Sequence, residues 1–130
     1  MPDVHQPGAT LLLVLVPMLA TFVLTRLYLH LVDPDADLFV AGYNVHHLYT
    51  GALVEIPAAF VLAFGVRAPW VRGAALVALG FGSALVLDQV IYLVTTDGTN
   101  AAYLRPISLW GAVLLVGLAA LLLLALFALA

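Results

Sequence analysis

Apolar residues in this chain come in four long blocks, and blocks of that length leave few folds open. A run of about 18 or more apolar residues lets a helix, rising ~1.5 Å per residue, cross the roughly 30 Å hydrocarbon layer of a membrane. Inside that layer each backbone must satisfy its own hydrogen bonds, so such blocks become helices rather than open strands. They fall at about residues 9–31, 44–66, 71–95 and 107–130, which predicts one all-α domain, a four transmembrane helix bundle in the plasma membrane. Composition agrees, because 65% of the 130 residues are apolar and 8% are charged, far from the soluble average of roughly half and a quarter.

The absent residue types narrow the chemistry. With no cysteine, disulfides, thiolate metal sites, thioether-linked haem and cysteine nucleophiles are all excluded. Lysine is absent too, the four basic residues are arginines, and the loops carry aspartates. That balance suits concentrated salt and argues against nucleic acid, which needs a basic face. Thr10–Ala20 could serve as the apolar core of a signal peptide, but Met1–Ala9 has no Lys or Arg and the apolar run continues past Thr21. The first helix is expected to be retained.

Between the blocks the punctuation is clear. Asp33-Pro34 starts a turn in the segment Val32–Gly42, whose Leu38-Phe39-Val40 is expected to dip back towards the interface. Asn44 suits the cap of the second helix, Pro17 and Pro57 introduce mild kinks, and Pro106 opens the fourth helix where its missing N–H costs nothing. The third helix carries Gly73, Gly80, Gly82, Ser83 and Ala84, a small-residue face suited to close helix packing. Positive charge favours the cytoplasmic side. The link between helices two and three has Arg67 and Arg72 and no acid, whereas the opposite loops have Asp33, Asp35, Asp37 and Asp97 against Arg105. The termini and the Arg67–Arg72 link are therefore placed in the cytoplasm.

That orientation brings polar residues of three helices into the outer leaflet. Arg26 and His30 end helix one, His46 and His47 begin helix two, and Asp88, Gln89 and Tyr92 approach the end of helix three. Glu55 lies about two turns deeper than His47, near the midplane beside Pro57, where desolvation favours its neutral form. Ionisable side chains in a membrane cost about 2.5–3.5 kcal/mol each on insertion scales, so they face the bundle interior and pair. Arg26 and Asp88, at matching depth, are expected to neutralise one another.

The histidines leave three readings open. His46, His47 and Asp88, with His30, could supply a divalent metal with N and O ligands from separate helices, although no diagnostic spacing is present. Bis-histidine haem through His30 and His46 or His47 is a poor fit, since the chain lacks His pairs stacked along two helices. Histidines at the membrane surface could also simply bond loop carbonyls. Tyr43, Tyr49, Tyr92 and Tyr103 fall at the outer interface with Trp110 and read as an aromatic belt. Ser83 and Ser108 have no nucleophile-elbow context.

The string G-Y-N-V-H-H-L-Y-T-G (Gly42–Gly51), followed by L-D-Q-V-I-Y-L (Leu87–Leu93) and T-D-G-T-N-A-A-Y-L-R-P (Thr96–Pro106), resembles small archaeal and bacterial membrane proteins, chiefly haloarchaeal. That group pairs an H-H-x-x-x-G segment with a later L-D-E segment. The resemblance covers the central two thirds of the chain and implies the four-helix membrane fold without an activity. His46, His47, Gly51 and Asp88 match the pattern, while Gln89 stands where it has Glu.

These features point to an outward-facing pocket built by Arg26, His30, His46, His47, Asp88, Gln89 and Tyr92 above Glu55, binding a metal or a small ligand. Two other classes stay open. One is a structural or accessory subunit whose Gly73–Ala84 face meets a second copy or a partner membrane protein, and the other is proton or ion conduction through Glu55.

Overall fold

The structure is a computed structural model that describes residues 6–130, so Met1–His5, the start of the segment weighed above as a signal-peptide n-region, lie outside it. Helix dominates, in the order α1 (Pro7–Leu31), a two-stranded hairpin β1 (Phe39–Val40) and β2 (Tyr43–Asn44), α2 (His47–Ala63), α3 (Pro69–Thr95), α4 (Asn100–Tyr103) and α5 (Pro106–Leu129). Three helices, α1, α3 and α5, are long and apolar enough to cross a membrane. Proline occupies the first turn of each, where the backbone N–H has no intrahelical acceptor to lose.

The second helix is shorter than expected. Asn44 does not cap it; Asn44 pairs with Phe39 in the hairpin, and His46 takes the cap position. The hairpin turns on Ala41 and Gly42, both left-handed at φ 50° and 83°. Two successive left-handed residues match the twist of antiparallel strands, which is why this short segment folds as a ribbon. At the other end the chain turns out of the helix at Gly65. The resulting 17 residues span about 25 Å, somewhat less than the hydrocarbon layer.

Helix α3 is the axis of the molecule. It packs against α1, α2 and α5, and α1 also meets α5. The small residues on it make these contacts possible. A Cβ added at Gly80 would stand within about 2.2 Å of the Val14 carbonyl oxygen on α1, and one at Gly82 within 2.7 Å of the Gly51 carbonyl oxygen on α2. Backbone therefore lies against backbone, the arrangement by which membrane helices gain dispersion contacts without a hydrophobic drive. Gly80, Gly82 and the fully buried Ala84 are thus used in contacts inside the chain.

Candidate functional site

Asp88 is the centre of the polar layer. It sits on α3 with 1% of its surface exposed, and three elements send donors to its carboxylate. Arg26 Nε donates to Oδ1 at 2.5 Å, His47 Nε2 to Oδ2 at 2.7 Å, and the Tyr103 hydroxyl to Oδ2 at 2.6 Å. The expected Arg26–Asp88 pair is thus present, and it is part of a larger network. Arg26 Nη1 donates to the Tyr103 carbonyl at 3.2 Å, and Nη2 approaches the Asp88 carbonyl and the Ser108 carbonyl and hydroxyl oxygens, each at 3.1 Å. The guanidinium also lies 4.0 Å from the centre of the Tyr103 ring. All three guanidinium nitrogens have acceptors, as a charge taken from water into a bundle interior requires.

Tyr103 reaches this layer from α4, a single helical turn in the last loop. Its start is fixed by Thr99, whose hydroxyl accepts from the Ala102 N–H at 3.2 Å. Thr99 in turn donates to Asp97, and these bonds hold the Asp97 carboxyl below its ordinary range. Burial pushes the Tyr103 hydroxyl well above the usual tyrosine range, with the Asp88 charge adding to it, so the group remains a donor. Tyr92 and Tyr103 are buried and meet edge to face at 5.3 Å. They are core residues, which corrects their placement in an aromatic belt; Tyr43, Tyr49 and Trp110 are exposed as a belt would have them.

Above this network is a cavity of about 220 Å³ between the Asp-rich loop, the N-terminus of α2 and α4. Of the expected pocket residues, His46, His47, Gln89 and Tyr92 line it. Arg26 and Asp88 form the network that supports His47. His30 is on the exposed flank of α1, its Nδ1 donating to the Arg26 carbonyl at 2.8 Å. Glu55 is two turns deeper at the α2–α3 crossing, where the Ser83 hydroxyl donates to it at 2.8 Å. No hydrogen bond among the described residues joins it to Asp88.

His47 has a defined tautomer. A carboxylate only accepts, so Nε2 carries the hydrogen given to Asp88 and the lone pair of the neutral ring is on Nδ1. A carboxylate that fixes the tautomer and orientation of an imidazole is the arrangement found beside a general base. Gln89 has a defined orientation as well, because its Oε1 accepts from the Leu48 N–H at 2.8 Å and so satisfies one orphan donor of the α2 terminus.

The metal set His46, His47 and Asp88 does not assemble. No group of three His, Cys, Asp or Glu side chains suited to a metal ion occurs among the described residues. The physical reason is competition: both Asp88 oxygens already accept from Arg26, His47 and Tyr103, and the His46 ring packs edge-on against Tyr92 at 6.0 Å. The Tyr103 ring packs near both histidines, 6.3 Å from His30 and 5.7 Å from His47.

Sequence reasoning missed Tyr103, Ser108, Asn44, Thr50, Asp37 and Asn100 as parts of this region. Thr50 carried a local signal, since it is one turn from His47 on the same helix face. For Asn100 there was none: it reaches across the loops to Asp35 and Asp37, at 3.4 and 3.0 Å, over more than sixty residues of chain. Comparison with protein-family models, curated proteins and solved structures finds no match, so function is read from this geometry.

Proposed function

We propose that this chain is a four-span membrane protein whose outer-leaflet pocket binds a small polar molecule, with His47 as its proton-accepting contact. The observation that carries the reading is the cavity at the head of α2, into which His46, His47, Thr50 and Gln89 turn, backed by a network that leaves none of its own enclosed polar atoms unpartnered. A cavity of about 150 Å³ accommodates a molecule the size of benzene; this one is somewhat larger. A purely structural cluster would close on itself, as Arg26 and Asp88 do, and would need no cavity beside it.

Helix α2 completes the span count. Its outer face carries exposed Leu53, Ile56 and Phe60, and it lies along α3 with backbones touching at Gly51 and Gly82. A helix somewhat shorter than the layer is accommodated by local thinning at modest cost. The arginines Arg67 and Arg72 then lie on the cytoplasmic side with both termini, and the pocket faces outward.

The test is ¹⁵N NMR of histidine-labelled protein in nanodiscs, titrated with small polar probes. The His46 and His47 ring signals shift saturably while those of His30, outside the cavity, stay in place. Equal shifts in a Thr50→Phe variant, whose added ring fills the cavity, would overturn the reading.

A further inference from the structure

We infer that the pocket's ligand is a small organic cation that also carries a hydroxyl or carbonyl oxygen, of the amino alcohol class; this rests on the ligand-pocket reading above. Charge gives the first part. The one guanidinium of the polar layer, Arg26, is spent on Asp88, the Tyr103 carbonyl and Ser108, so it offers nothing to an anion in the cavity. Asp37 lines the cavity with Oδ2 bonded to Asn100 and Oδ1 unengaged, and Asp35 is drawn to the same amide. With Asp33 and Asp97 on the neighbouring loops against Arg105, the mouth is negative. Such a mouth attracts cations and repels anions.

A second and independent observation comes from Gln89. This residue is 4% exposed, its Oε1 is engaged by Leu48, and its amide N–H₂ has no protein partner. Since no fully enclosed side-chain nitrogen or oxygen among the described residues is left unpartnered, that amide opens on the cavity the residue lines. A buried donor of this kind requires an acceptor. An alkylammonium group alone has none, so the ligand brings an oxygen. A hydroxyl answers both requirements of the floor, accepting from Gln89 and donating to the His47 Nδ1 lone pair. In this reading Gln89 selects an acceptor where a glutamate would select a donor.

The experiment uses the full chain in phosphatidylglycerol nanodiscs, which contain no amine headgroup, and titrates ethanolamine, ethylene glycol and glycolate while following the His47 ring and Gln89 side-chain amide signals. Ethanolamine shifts both and binds more tightly than ethylene glycol, and glycolate binds weakest. Asp37→Asn, which keeps the acceptor for Asn100 and removes the charge, weakens ethanolamine about tenfold without lowering the melting temperature. Glycolate or ethylene glycol binding as tightly as ethanolamine, or an unchanged affinity in Asp37→Asn, overturns the cation assignment and leaves the pocket standing. Silence from all three probes overturns both. Replacing phosphatidylglycerol with phosphatidylethanolamine distinguishes the source: competition with free ethanolamine assigns the site to a lipid headgroup, and no competition to a free solute.

Discussion

Asp88 and Arg26 are a buried ion pair embedded in further hydrogen bonds, and the energetics of such pairs are asymmetric. Forming one gains little over an apolar substitute, because desolvation offsets the attraction, but removing one partner strands a charge and costs about 3–5 kcal/mol. Arg26→Leu and Asp88→Leu are each expected to destabilise the protein by that order, read from unfolding in mixed micelles. The double variant is expected to lose clearly less than the sum of the two. Strict additivity would mean that the pair does not act as a unit. Among the histidines the same reasoning separates His47, held by Asp88, from His30, which bonds only the carbonyl of its own preceding turn.

At the scale of elements, α3 works because its glycines fall where neighbours cross. Gly80 and Gly117 make a matched test, both being helical glycines among apolar residues. At Gly80 an added methyl meets the Val14 backbone, which cannot give way without moving α1, whereas at Gly117 nothing lies within 4 Å. Gly80→Ala is expected to destabilise by about 1–3 kcal/mol through overpacking. Gly117→Ala is expected to be neutral or stabilising by up to about 1 kcal/mol, from helix propensity alone. If both changes moved the melting temperature alike, the close crossing of α1 and α3 would be wrong. The short elements matter in a different way. The hairpin β1–β2 and the single turn of α4 bring Asp37 and Asn100 over the head of α2, and without them the polar layer would open directly to water.

For the whole molecule, the proposed orientation makes a clean prediction because the chain has no cysteine. A membrane-impermeant maleimide is expected to label an Ala36→Cys variant in intact cells and an Ala68→Cys variant only after the membrane is opened. The reverse pattern would invert the topology and turn the pocket towards the cytoplasm. The exposed apolar surface supports the membrane setting at this scale too: Leu12, Leu24, Leu53, Phe60, Leu118 and Leu121 are all more than half exposed, a surface that water would not tolerate.

The helices were legible in the sequence because their signal is local: a long apolar run has one way to satisfy its backbone in lipid, and Pro106 marks where the last one begins. The depth at which Arg26, His47 and Asp88 meet was legible for the same reason, since helix rise converts residue number into depth. What the sequence did not determine was rotation about each helix axis and the path of the loops. Those follow from which glycine meets which backbone, and from bonds such as Tyr103 to Asp88 and Asn100 to Asp37 that join residues from different elements. Tyr103 therefore read as one more interfacial tyrosine, and His46, His47 and Asp88 as one ligand set. Tertiary packing gave Asp88 to Arg26, His47 and Tyr103 instead, because a buried carboxylate must fill its acceptors from the nearest donors, and left His46 facing a cavity.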